Sequence, residues 1–439
     1  MVIEREEIVL ICTSDMAGQV RGKGFPARDL EARRQFGVGW THSCAMINCF
    51  GRIPATPFGP RGDLNIVPAP GGDMRLDYGD GGAVEHLILG DIVTLQGTRW
   101  ACCLRGFLAG AAAALEREAG LRVLASFEHE FWLDAAADGP ASSYGASRMR
   151  GVEAFAGDLL GALRANALGP DTFMPEFGPR QFEITVDPAL APEAADRAVK
   201  LREITRSVAR RHGHRASFSP VVTRGFVGNG VHIHFSLCDR DGRPVTFEAG
   251  RPGGLSPVAA SFAAGILDHA PALVAVTAPS AISHERLRPQ SWSAYHANIA
   301  ERDREALLRI CPIPEAPDVD VARRFNLEFR GADAAASPYL ALGMLIHAGL
   351  DGVKRRLPAR ILSVGDPGEL SAEERAARGF GELPHGMGEA LDALEADPAA
   401  MGWLGPELSE AYLMHKRGEL AMAALMDVEE LCRLYALIY

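Results

Sequence analysis

Four segments of this 439-residue chain set ionisable side chains between large apolar ones at the two-residue period of a β-strand. In SFEHEFWL, Glu128 and Glu130 project to one side and Phe127, His129 and Phe131 to the other. In PEFGPRQFEITV, Glu176 and Glu183 flank a Gly-Pro turn. In GNGVHIHFS, His232 and His234 share a face against Val231, Ile233 and Phe235, and in FNLEFR, Glu328 and Arg330 share a face against Leu327 and Phe329. A carboxylate turned inward without a partner is costly to bury. One such strand reads as a sheet with a solvated outer face; four in one chain weaken that reading. Hard divalent cations such as Mg²⁺ or Mn²⁺ would relieve the repulsion, because they take oxygen ligands with occasional imidazole. Five glutamates and one histidine suffice for two three-ligand sites.

Arginine is the second feature. Only Lys23, Lys200, Lys354 and Lys416 are lysines, so the basic residues are almost all Arg, which holds carboxylate and phosphate in a fixed fork. Arg286, Arg304, Arg309 and Arg330 lie near the acidic strands, and ERDREALLRICP puts Arg304 and Arg309 five apart. Alone, that run reads as an exposed, salt-bridged helix face. Beside a metal cluster, arginines neutralise charge on a moving phosphoryl group and on a substrate carboxylate. A P-loop is excluded, since no GxxxxGK[ST] occurs. GFVGNG (225–230) leads into a strand rather than a helix, the wrong order for a dinucleotide fingerprint.

Composition bounds the rest. A formal net charge of −11 argues against a nucleic-acid surface. The eight cysteines contain no CxxC pair, which argues against a thiolate zinc site and leaves reduced thiols and a cytoplasmic location as the expectation. The N-terminal MVIEREEIVL lacks the apolar core of a signal peptide. The most apolar stretch, 259–281, is broken by Asp268, His269 and Pro271 and reads as a buried helix plus a turn, so no membrane is expected. Strands are expected over 8–12 and 86–95, a loop over 50–63, and a helix closed by Gly120 over 109–120. The change near residue 100 suggests domains over 1–100 and 101–439. In the second, strands alternate with helices around 148–168 and 192–213, and helices dominate 333–357 and 385–439.

Taken together, these motifs resemble the glutamine synthetase family. FEHEFWL resembles its ExEF strand, EFGPRQFE its ExGxGQxE motif, GNGVHIHFS its GxGxHxxxS strand, and SHERL…RDREALLRI its two arginine segments. NLEFR…SPYLALGMLIHAGLDG and PHGMGEALDALEADPAA…LG also fit, in order, from about residue 8 to 435. The resemblance implies an α+β fold: a small N-terminal β-grasp domain and a large catalytic α+β domain. It implies two cations, Mg²⁺ or Mn²⁺, one held by Glu130, Glu176 and Glu183 and one by Glu128, His232 and Glu328. Arg286 would hold the substrate α-carboxylate beside the Gly228 backbone. Arg304, Arg309 and Arg330 would act on the phosphoryl group, and His234 and Ser236 would line the ATP site with Arg309. The implied assembly is a homo-oligomeric ring, commonly a dodecamer, with each site shared between neighbours. The implied reaction makes a γ-glutamyl amide from glutamate, ATP and an amine through γ-glutamyl phosphate.

Departures sharpen the expectation. Thr41, in GWTHSCAM, and Trp292, in RPQSWSAY, stand where the family carries two acidic residues that attract and deprotonate ammonium. Val227 and Arg180 replace a usual asparagine and glycine near the acid substrate, and Gly368 falls where some members carry a modifiable tyrosine. An amine larger than ammonia is therefore expected, neutral or apolar to suit Trp292, because a polyamine would want an acidic pocket. The alternatives are a true glutamine synthetase drawing on Glu285 or Glu301, and a catalytically silent member of the fold.

Overall fold

The computed structural model describes residues 5–60, 62–135, 143–314 and 316–439. Its N-terminal part is a five-stranded sheet of β1 (Ile8–Ser14), β2 (Val20–Pro26), β3 (Val38–Thr41), β4 (Asp63–Leu76) and β5 (Glu85–Thr94), in the order β2-β1-β5-β4-β3. β1 runs parallel to β5 and the other pairs are antiparallel, with a helix over Leu30–Phe36 between β2 and β3. This is the β-grasp arrangement. Val9, Ile11, Ile66 and Ile88 alternate inward and are buried.

The larger sheet joins β6 (Leu121–Leu133), β7 (Pro170–Pro175), β8 (Gln181–Val186), β9 (Ala189–Leu190), β10 (Ala216–Ser217) and β11 (Val231–Asp239). Past a separate strand β12 (His296–Ala297) it continues with β13 (Ile299–Glu301), β14 (Leu308–Ile310) and β15 (Leu327–Phe329), while β16 (Gly381–Glu382) pairs with β12. The path is β13-β14-β15-β11-β6-β8-β7, with β9 and β10 also on β6. Its apolar face carries Phe127, Phe131, Phe182, Ile233 and Phe329, all fully buried or nearly so. Helices Leu104–Ala119, Ala191–Arg211 and Pro338–Arg355 pack together behind it. Each buried aromatic contributes about 1.5–3 kcal/mol of transfer free energy, which fixes which face of the sheet turns outward.

The first helix begins five residues before the expected start, capped by Cys103, whose sulfur accepts from the Gly106 N–H. It ends where expected, with Gly120 left-handed at φ +70°. The helix expected around 148–168 is two, Ala146–Gly151 and Glu153–Ala165. The stretch 259–281 also differs from expectation: it forms two helices, Pro257–Asp268 and Ala270–Thr277, because Pro271 opens a second helix in its first turn. Among the described residues no single helix is long and apolar enough to cross a membrane; that pair is bent by 74°. ERDREALLRICP is not a helix: it leaves β13, turns, and returns as β14. The described cysteines are all free thiols.

His269 ties this helical layer together. Its Nδ1 is 2.6 Å from Asp397, which caps helix Pro398–Ala423, and its Nε2 is 3.2 Å from Asp351 in helix Pro338–Arg355. Burial works against its positive charge, but the two carboxylates outweigh burial and raise its pKa above the ordinary value. The raised value means the folded state binds the proton more tightly, so this stabilisation is complete below about pH 6.5 and fades as pH rises through the folded-state value. The Tm advantage of wild type over His269→Gln should therefore be larger at pH 6 than at pH 8.5; an equal gap would show that the pair carries no charge.

Candidate active site

Strand register assembles the site. Across the outward face of the large sheet, His232 lies opposite Glu128, Glu183 opposite Glu130, and Glu328 opposite both His234 and Arg309. Directly opposed residues on one face sit close enough for their side chains to meet. The alternation along β6, β8, β11 and β15 thus becomes one polar patch on an apolar layer.

At one end, donor atoms of Glu128, His232 and Glu328 lie within 4.8 Å of one another. His232 Nδ1 is 2.7 Å from Glu128 and 3.5 Å from Glu328. Glu328 is 1 % exposed and also receives Arg309 Nη1 at 2.8 Å and Arg330 Nη1. Burial raises its pKa, but His232, Arg330 and His234 prevail and hold it at about 2. Burial likewise opposes ionisation of Glu128, yet hydrogen bonds from His232 and His234 pull it well below the carboxylate range.

At the other end negative charge crowds together. Glu183 is pushed up to about 10, first by burial and then by Glu128, Glu130 and Glu176. Burial and Glu130 raise Glu176 too. Glu130 Oε2 accepts from the Gly230 N–H at 2.7 Å and from Gln181 Nε2 at 3.1 Å, which aims the carboxylate. Glu130, Glu176 and Glu183 form no donor cluster as tight as the first triad. Carboxylates that neutralise one another only by keeping a proton suit a hard divalent cation in place of that proton.

The arginines divide. Arg286 is buried; it donates to Ser293 Oγ at 3.1 Å and to the Ala332 carbonyl at 2.7 Å, and its Nε has no partner. Gly228 packs against it: a Cβ there would come within 2.7 Å of Arg286 Cγ. Arg330 links Glu328 to the carbonyls of Arg304, at 2.7 Å, and Trp292, at 3.2 Å. Arg304 belongs to the site through that carbonyl, and its own side chain is exposed. Ser236 shares the outward face with His232 and His234. Thr41 lies in the small domain, where its hydroxyl meets Ser43 and Cys44.

Trp292 is 62 % exposed on a segment where Gln290 and Trp292 both take left-handed backbone, φ +56° and +54°. Such angles are strained for bulky side chains and cluster at functional segments. The Trp292 N–H donates to Glu305 Oε1 at 3.1 Å. Behind this segment opens a cavity of about 960 Å³ lined by Glu301, Asp303, Glu305, Asp366, Glu369 and Glu382, with Arg375 and His296 as its basic groups. Ser293 lines it too, so its wall reaches the Arg286 side chain.

The expectation of a neutral or apolar amine weighed Thr41 and Trp292 alone. The structure sets an acidic wall beside the Trp292 segment. Its first half is visible in ERDRE, where Glu301, Asp303 and Glu305 alternate, of which the sequence reading singled out Glu301 alone. Asp366 and Glu369, at a short helical turn, and Glu382, in β16, are distant in sequence, and no local pattern marks them. Glu285 is engaged by Arg288.

Residues 2–100 match the glutamine synthetase N-terminal domain and residues 101–431 the glutamine synthetase catalytic domain. A gamma-glutamylpolyamine synthetase of Streptomyces coelicolor is 36 % identical over 97 % of this chain and 92 % of its own length. A glutamine synthetase of Halobacterium salinarum is 30 % identical over 93 % of this chain and 88 % of its own. A solved glutamine synthase homologue superposes with a TM-score of 0.92 at 39 % identity over the full length of both chains. A GmaS/ADP complex superposes at 0.81 and 26 % identity, over 97 % of this chain and 95 % of the other.

The chain belongs to the glutamine synthetase family. It is accordingly an ATP-dependent carbon–nitrogen ligase of the type that joins glutamate to ammonia or an amine, and the family uses divalent metal ions.

Proposed function

We propose that the chain makes a γ-glutamyl amide from glutamate and a primary amine larger than ammonia that carries further positive charge. The acidic cavity behind the Trp292 segment carries this reading. Six carboxylates against one arginine and one histidine repel the phosphates of ATP and attract a polycation. Its volume suits an extended chain of several amines, many times the size of ammonium. The likeness to a gamma-glutamylpolyamine synthetase supports the same choice.

In this reading Glu130, Glu176 and Glu183 hold one Mg²⁺ or Mn²⁺, and Glu128, His232 and Glu328 a second. Bound there, the ions neutralise the phosphates of ATP. Arg286 and the Gly228 backbone hold the glutamate α-carboxylate. Arg309 and Arg330, fixed by Glu328, face the γ-carboxylate as it takes the phosphoryl group, with Arg304 joining them from the exposed side. His234 and Ser236 flank the nucleotide with Arg309. The amine nitrogen then attacks the γ-glutamyl phosphate and phosphate leaves. A carboxylate near Trp292, Glu305 foremost, accepts the proton the ammonium must lose.

Incubation with glutamate, ATP, Mg²⁺ and a linear triamine should give a product whose mass is the sum of glutamate and amine less one water, with ADP and phosphate formed one to one. Glutamine as the sole product whenever ammonium is present would favour the plain synthetase reading, and no ADP with any amine the silent one.

The reading extends to assembly and location. The small domain spans 1–100 and the catalytic domain 101–439, in a cytoplasmic homo-oligomeric ring, a dodecamer in the common form. Among the described residues the Thr41 hydroxyl meets Ser43 and Cys44 of its own domain, and in the ring a part for Thr41 in amine chemistry would be played in the neighbouring copy's site. Light scattering should show a ring, and dilution to monomers should abolish turnover; an active monomer would refute this.

A further inference from the structure

Cys311 stands one residue past β14 and is 9 % exposed. Its sulfur lies 3.7 Å from His234 Nδ1 and 3.7 Å from Glu328 Oε2. Together the three offer a sulfur, an imidazole nitrogen and a carboxylate oxygen within 4.8 Å of one another. Around a tetrahedral zinc ion, with metal–sulfur about 2.3 Å and metal–nitrogen or –oxygen about 2.0–2.2 Å, sulfur and its neighbours sit roughly 3.5 Å apart. The two spacings to sulfur need only a few tenths of an ångström of adjustment.

We infer that His234, Cys311 and Glu328 form a binding site for a thiophilic divalent cation of the zinc class, sharing Glu328 with the Glu128–His232–Glu328 triad. Ligand softness separates the two: thiolate with imidazole selects zinc-like ions and is a poor environment for Mg²⁺. Binding replaces the thiol proton by a sulfur–metal bond and releases that proton to solvent.

The surroundings fit the exchange. His234 Nδ1 now faces Asn326 Oδ1 at 2.9 Å. Once Nδ1 binds a metal the ring keeps a proton at Nε2, which lies 3.4 Å from Glu128 Oε2. That is the carboxylate–histidine–metal arrangement that fixes a ligand tautomer. Asn326 Oδ1, freed from the ring, is placed to become a fourth donor. Against binding stands Arg309, which donates to the same Glu328 oxygen at 2.8 Å, so the ion must share that carboxylate. A zinc ion on Glu328 Oε2 draws negative charge from the carboxylate whose Oε1 faces His232 in the other triad, and it ties up His234. Zinc therefore inhibits the Mg²⁺-supported reaction through Cys311.

Cobalt(II) is the probe, because a thiolate–cobalt bond gives a near-ultraviolet charge-transfer band. Titration of the full-length, metal-depleted protein should produce that band in wild type and lose it in Cys311→Ser. Zinc should displace the cobalt stoichiometrically. The zinc concentration that halves Mg²⁺-supported turnover should rise tenfold or more in Cys311→Ser. Cys311→Ala serves as the second variant should the serine protein fail to fold. No band in wild type, a band that survives both variants, or unchanged zinc sensitivity would each overturn the inference.

Discussion

Glu130→Ala should lower kcat/KM by a thousandfold or more, about 4 kcal/mol of transition-state stabilisation, without unfolding the chain. The Glu130 carboxylate is aimed by Gly230 and Gln181 into a group of carboxylates that repel one another. Its removal takes away an oxygen donor and with it charge balance at the phosphates. Without metal, the same change relieves Glu183 and Glu176 of a neighbouring negative charge, so the metal-free variant should melt no lower than metal-free wild type. Added Mg²⁺ or Mn²⁺ should raise the Tm of wild type, because binding to the folded state alone stabilises it, and should raise that of the variant far less. Melting curves with and without metal, beside steady-state rates, separate lost chemistry from lost fold. Full activity after chelation would remove the metal site from the reaction.

The second large effect concerns the acidic wall. Changing Glu301, Asp303 and Glu305 together to their amides should raise KM for a polycationic amine by about tenfold to a hundredfold and leave KM for ATP and glutamate nearly unchanged. Each exposed or half-exposed charge contact contributes about 0.2–1 kcal/mol, and three acting together reach that range. Raising the ionic strength should shrink the difference, since these carboxylates are open to solvent. Trp292→Glu should shift the balance the other way, toward more cationic acceptors, ammonium included. Identical KM values for the triple variant and wild type would place the amine elsewhere.

The legible part of this site was local. Two-residue alternation in β6, β11 and β15 foretold which side chains share a face, because a pleated strand leaves no other choice. Each cross-strand partner, His232 with Glu128 or Glu183 with Glu130, required register, which the sequence shows only through resemblance. Gly120 stopped its helix for a reason visible in one residue. The run 301–312 misled: its charges suited a helix, yet β15 draws Leu308 and Ile310 into a sheet. The motif marked Arg304 by its side chain, and nothing local showed that its carbonyl would also hold Arg330. The acidic cavity, Gln181 beneath Glu130 and Cys311 beside His234 all depend on segments brought together from more than one region of the chain.

The central claim is a ligase that prefers a polycationic amine to ammonia, and one comparison tests it most directly. With glutamate, ATP and Mg²⁺ saturating, kcat/KM is measured from ADP release for ammonium, a short alkyl monoamine, an aryl amine, a linear diamine and a linear triamine. The expected result is a diamine or triamine at least tenfold above ammonium and above both monoamines, about 1.4 kcal/mol or more in transition-state binding. Ammonium equal to or better than every larger amine would contradict the claim.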